Sequence, residues 1–118
     1  MSPRENNTIP RLSDFELILV LAIVRLGSEA YGAEMAREIH RRTGRDVALG
    51  AIYKTLDRLE RKDLVGFEIG EPIAERGGRR RKLYHPTALG ERALNRTLSD
   101  LDAMRHGLEL GPFPMPVP

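Results

Sequence analysis

The stretch LGAIYKTLDRLERKDLVGFEIG, from Leu49 to Gly70, changes its period partway along. Up to Lys62, the apolar residues Ile52, Leu56 and Leu59 recur at i, i+4 and i+7, the spacing of one buried stripe on an α-helix. Beyond it Val65, Phe67 and Ile69 alternate with Gly66 and Glu68, the period of a half-buried strand. The pattern predicts a helix over about Leu49 to Lys62 with Gly50, Lys54, Asp57, Arg58 and Arg61 opposite its stripe. Ala51, Tyr53 and Thr55 fall on its flanks.

Upstream, a second helix is predicted from about Tyr31 to Thr43, with Tyr31, Met35, Ala36 and Ile39 on one face and Gly44 as its stop. Before it, Ser13 and Glu16 stand at capping-box spacing, Leu12 and Leu17 are placed for a hydrophobic staple, and Gly27 supplies the end. Ten of the twelve residues from Phe15 to Leu26 are apolar, so this first helix has almost no polar face. A small domain covers one side of such a helix; a second copy of the chain is one way to cover the other, and its own domain wrapped around it is the alternative. Downstream, a second strand is expected over about Arg80 to His85, after a loop whose Gly77-Gly78 pair permits positive φ at a hairpin tip. Thr87 reads as the cap of a last helix, along which Leu94, Leu98, Leu101 and Leu108 share a face.

The order helix, helix, turn, helix, hairpin, helix describes a fold that is mainly α with a small β-hairpin: a winged helix-turn-helix followed by a C-terminal dimerisation helix. The expected divisions are a flexible arm over 1–12, the winged helix-turn-helix over 13–86, the dimerisation helix over 87–108 and a flexible Pro-rich tail over 109–118. Phe15, Leu19, Ile23, Leu94, Leu98, Leu101 and Leu108 are the candidate dimer residues.

With 118 residues, 41% apolar and 31% charged, the chain is one ordinary globular domain. It has no Cys, and His40, His85 and His106 lie far apart, so neither disulfides nor a metal site is expected. No phosphate-cradling loop and no catalytic constellation stands out, so no enzyme and no cofactor are expected. The N-terminus lacks the apolar core of a signal peptide, and the 12-residue run from Phe15 contains Arg25 and falls short of the roughly 20 residues a membrane span needs. A cytoplasmic protein without a membrane partner is the expectation.

The net charge is only +2, yet 13 of the 19 basic residues lie in two clusters, eight over 37–62 and five over 76–82. A major groove accepts one helix, its walls are phosphates, and a hairpin beside that helix projects over the neighbouring backbone. Cations that repel one another in water are favourable against phosphate, where they release counterions. Double-stranded DNA is therefore the expected partner. The candidate contacts are Gly50, Ala51, Tyr53, Lys54, Thr55 and Arg58 on the helix, and Arg76, Gly77, Gly78, Arg79, Arg80, Arg81 and Lys82 on the wing.

Three segments, YGAEMAREI, GAIYKTLDRLERKDLV and GGRRRKLYHPTALG, resemble the PadR-like family of bacterial transcriptional regulators, and the likeness spans about Phe15 to Leu94. The resemblance implies a homodimer on a palindromic operator, usually a repressor, with the first and last helices forming the dimer contact. It also implies that Gly50, Ala51, Tyr53 and Lys54 face DNA and that Gly77, Gly78, Arg79 and Arg81 form the wing. The chain departs from the family's pattern at Ala48, where Ser or Thr is frequent, and at Lys54, where Pro is frequent. One helix after the wing leaves no separate effector domain, and six aromatics without Trp poorly supply a flat aromatic clamp; a small-molecule effector stays open as a partner, its identity not legible in the sequence. Another dimeric winged-helix regulator type is the nearest competitor. From a different class, a winged-helix protein-interaction adaptor predicts a neutral wing and a neutral third helix.

Overall fold

The structure, a computed structural model, describes residues 9–72 and 80–109. Helix α1 (Asp14–Leu26) opens where the capping-box spacing places it, with Ser13 N–H donating to Glu16 Oε1 at 2.9 Å and Leu17 N–H to Ser13 O at 2.8 Å. A short 3-10 turn over Gly27–Glu29 leads to α2 (Gly32–Thr43), which stops at Gly44 in the left-handed region at φ 76°. Helix α3 (Leu49–Arg61) follows, then the antiparallel strands β1 (Val65–Pro72) and β2 (Arg80–Pro86), then α4 (Ala88–Arg105). Val65 pairs with Pro86, Phe67 with Tyr84 and Ile69 with Lys82. The order is the one expected, and the fold is a helical domain carrying a two-stranded wing.

One core holds it together. Leu19, Val20 and Ile23 of α1 meet Met35 and Ile39 of α2, Ile52, Leu56 and Leu59 of α3, and Leu64, Val65, Tyr84 and Ala93 beyond them. Because α1 is apolar nearly all round, it serves as the central post against which α2, β2, α3 and α4 pack. That corrects the expected dimer set. Leu19, Ile23 and Leu94 are buried in the chain's own core and offer nothing to a partner, while Phe15 and Leu98 are half-buried against it. What stays in water is Val24 on α1 and, on and just past α4, Leu101, Met104 and Leu108.

Three other expectations change. Residues 9–12 do not trail away, because Arg11 Nε bonds Asp100 Oδ2 at 2.9 Å and Leu12 N–H donates to Thr97 Oγ1 at 2.9 Å, pinning the segment to α4. The last helix ends at Arg105 rather than Leu108, with Gly107 at φ 81°. Among the described side chains of β1 only Val65 is buried; Phe67 and Ile69 are exposed, since the hairpin leaves the body beyond Tyr84.

The joint between α3, β1 and α4 is tightly drawn. Thr87 Oγ1 donates to Asp63 O at 2.7 Å and accepts from Gly90 N at 2.9 Å, while Thr87 N–H donates to Leu64 O at 3.0 Å. A Cβ on Gly90 would lie 1.9 Å from Leu64 O, so only glycine lets α4 approach this closely. The wing and α3 are thereby set on a rigid base.

Candidate nucleic-acid interface

Helix α3 is seated by Ile52, Leu56 and Leu59, all fully buried. Thr55 joins them at 5% exposure and is corrected from the candidate contacts, since its side chain faces the core. The outward face is otherwise as the spacing requires: Gly50, Ala51, Tyr53, Lys54, Asp57, Arg58 and Arg61 are exposed. At the helix start, the Ala48 side chain makes no capping hydrogen bond.

Ion pairing sorts the eight cations of residues 37–62 into two groups. Arg37 pairs with Glu34, Arg41 with Glu38, Arg42 Nε with Glu38 Oε2 at 2.6 Å, Arg45 Nη1 with Asp14 Oδ2 at 3.3 Å, and Lys62 Nζ with Glu16 Oε2 at 3.0 Å. Arg25 Nε also approaches Glu38 at 3.5 Å. Hydrogen bonds from Arg42 and Arg41 hold the Glu38 carboxyl below the usual carboxylate range, despite its burial. Lys54, Arg58 and Arg61 make no ion pair among the described residues. They stand at i, i+4 and i+7, one stripe along the helix, two residues offset from Ile52, Leu56 and Leu59 and so on the opposite side. Burial first, then the nearby Glu60, with smaller shares from Tyr53 and Asp57, pushes the Tyr84 hydroxyl up to about 12.

Tyr53 has a second duty. A Cβ on Gly32 would lie 2.7 Å from Tyr53 Cζ and Oη, so the half-exposed ring is laid against the first turn of α2. Gly32 was not among the sequence candidates, nor was Gly90. Glycine inside a helix costs about 1 kcal/mol against alanine, and that local cost is the signal of a close approach.

On the wing, Arg76, Gly77, Gly78 and Arg79 lie outside the described residues, and for Arg80 only the backbone at the start of β2 is described. The two remaining cations both sit on aromatic rings: Arg81 Cζ is 3.8 Å from the Tyr31 centroid and Lys82 Nζ is 4.1 Å from that of Phe67. Phe67 in turn meets Tyr84 at 5.8 Å between centroids. Lys82 is exposed and Arg81 is half-buried.

Among the described residues no group of three or more acidic or imidazole side chains is placed to hold a metal, and no helix is long and apolar enough to cross a membrane. What the geometry offers is a positive helical stripe with a hairpin beside it, next to a helix, α2, whose arginines are held in ion pairs.

The PadR-like family of transcriptional regulators, as a sequence model, matches residues 20–96. Among solved structures, a PadR-like transcription factor from Bacteroides fragilis superposes with a TM-score of 0.62 at 26% identity, over 75% of this chain and 82% of that one. A PadR family transcription regulator from Clostridium difficile R20291 does so with a TM-score of 0.59 at 26% identity, over 75% and 90%. A PadR family regulator from Eggerthella lenta, at 24% identity and a TM-score of 0.61 over 76% of each chain, supports the fold alone. No curated protein matches the sequence.

Proposed function

The chain belongs to the PadR-like family of transcriptional regulators, and from that premise we propose that it is a repressor that binds a palindromic DNA operator as a homodimer. The observation that carries the reading is the stripe of Lys54, Arg58 and Arg61, which make no ion pair among the described residues, beside α2, whose arginines are paired. Lys54 and Arg58 lie one turn apart on a rigid helix and reach base edges, where a good contact with guanine discriminates by about 1–3 kcal/mol. Gly50 and Ala51 let the helix start approach the groove without bulk. Wing cations, Lys82 among them, hold backbone phosphate and so position the protein without reading sequence.

A second copy is supported by surface that one chain leaves uncovered. Leu101 and Met104, three residues apart on α4, and Leu108 just past its end are 48%, 78% and 61% exposed. Covering them with the same residues from a partner, alongside Val24, removes that area from water at about 25 cal/mol per Å². A two-fold dimer requires half-sites that repeat in inverted order, with centres about 10 base pairs apart.

Selection of bound duplexes from a random library tests the whole reading at once. The expected product is an inverted repeat, bound by a species of twice the 13.3 kDa chain mass in light scattering. A single asymmetric half-site bound by a monomer contradicts it.

A further inference from the structure

Two consecutive residues, Tyr31 and Gly32, touch the two parts of the interface separately. Gly32 receives the ring of Tyr53 from α3. Tyr31 holds the wing: its ring carries the Arg81 guanidinium of β2 at 3.8 Å, and a Cβ on Gly70 of β1 would lie 3.3 Å from its Oη and 3.5 Å from its Cε1. Just before it, Ala30 O accepts from Tyr84 N–H at 2.9 Å, so residues 30 and 31 run beside β2. One ring is therefore in contact with both strands of the wing, next to the glycine that seats the recognition helix.

Arg81 is an unusual phosphate candidate in this setting. Its Nε is shielded from solvent and has no hydrogen-bond partner among the described residues, and its planar group lies flat on an aromatic ring. A guanidinium stacks in this way because it is planar and weakly hydrated; an ammonium is a compact, strongly hydrated charge and does not substitute for it. Lys82, the next residue, is exposed.

We propose that Arg81 is a positioning residue of the DNA interface: its stack on Tyr31 fixes the angle of the wing relative to α3, and it does not itself hold a phosphate. The inference rests on the DNA-binding reading above and adds to it a part for Tyr31, which has no charge to offer DNA. Removing the ring and removing the guanidinium then do the same damage, although only one of them removes a positive charge.

The test is a double-mutant cycle on the selected duplex, titrated at several salt concentrations. Tyr31→Ala and Arg81→Ala each weaken binding about tenfold, the loss of one partly desolvated cation–π contact. The double variant is no weaker than either single one. Arg81→Lys, which keeps the charge, binds as poorly as Arg81→Ala, and Tyr31→Phe binds like the unaltered chain. Normal binding by Tyr31→Ala, or rescue by Arg81→Lys, overturns the proposal and returns Arg81 to the phosphate contacts. An unaltered chain that binds no duplex sinks the DNA reading instead. In that event the stack is read in the free protein, by hydrogen exchange at Tyr84 N–H: faster exchange in both alanine variants supports the strut, and unchanged protection overturns it. Circular dichroism of each variant separates a displaced wing from a lost fold.

Discussion

Helices α2 and α3 are neighbours of nearly equal length, and both are rich in arginine, but their charges have different fates. On α2, Glu34 and Glu38 lie three or four residues before Arg37, Arg41 and Arg42, and every one of these arginines is held in an ion pair. On α3, Lys54, Arg58 and Arg61 have no ion-pair partner among the described residues, although Asp57 and Glu60 lie on the same helix. Basic content alone does not make a nucleic-acid surface, and neither does spacing, since Asp57 stands four residues before Arg61; the ion pairs that form decide which cations are available. The remaining measurements either break that contrast or sharpen it.

The largest effect is expected from removing the seat that α3 rests on. Leu56 is fully buried, and Leu56→Ala should destabilise the domain by about 2–5 kcal/mol in urea unfolding, with DNA binding lost alongside the fold. Next comes the contrast itself. Arg58→Ala should lower the free energy of operator binding by about 1–3 kcal/mol and leave scrambled DNA much less affected, when both are titrated by fluorescence anisotropy. Arg37→Ala removes the same charge from α2 and should change stability by no more than about 0.5 kcal/mol, with little effect on either duplex.

A third expectation concerns acid. Burial pushes the Glu16 carboxyl up, but hydrogen bonds from Ser13 and Lys62 outweigh it and leave the group below its ordinary value of 4.5. A depressed folded-state pKa stabilises the fold above the unfolded value, and that contribution is lost as pH falls through the lower one. Glu16→Gln should therefore be about 1–2 kcal/mol less stable at pH 7 and should show a shallower loss of stability below about pH 4.5 than the parent chain. Denaturant midpoints across pH 3–7 measure both.

The most delicate change would turn α2 into something closer to α3. Glu38→Gln releases Arg41 and Arg42 from their shared carboxylate, so random duplex should bind more tightly and with a steeper salt dependence while the selected sequence stays the same. A variant whose non-specific binding does not rise would mean that α2 faces away from the nucleic acid.

Much of this architecture is legible in the chain because local signals coincide. The Ser13 and Glu16 cap, Gly44 and Thr87 mark ends that the structure keeps. The stripe Ile52, Leu56, Leu59 orients α3 without any tertiary information. Thr55, expected on the flank as a DNA contact, lies inward for a specific reason: it completes the i, i+3, i+4, i+7 face with those three, and a small polar side chain there is hidden as readily as an apolar one. For α1 the sequence has no face to read, since an all-apolar helix does not reveal which side its own domain will cover, and Leu19 and Ile23, expected at a dimer contact, lie inward. Contacts between distant segments are silent altogether. The stack of Arg81 on Tyr31 joins residues 50 positions apart, and no local period encodes it.

The claim at the centre is that α3's unpaired stripe, and not basic charge in general, binds DNA. It is tested most directly by one salt titration of operator binding comparing two variants, Lys54→Ala with Arg58→Ala and Arg61→Ala, and Arg37→Ala with Arg41→Ala. The α3 variant should bind at least about a hundredfold more weakly, with a salt slope lower by about one unit per lost contact, and the α2 variant should match the parent chain within about threefold. Equal losses from the two variants, cation for cation, would contradict the account.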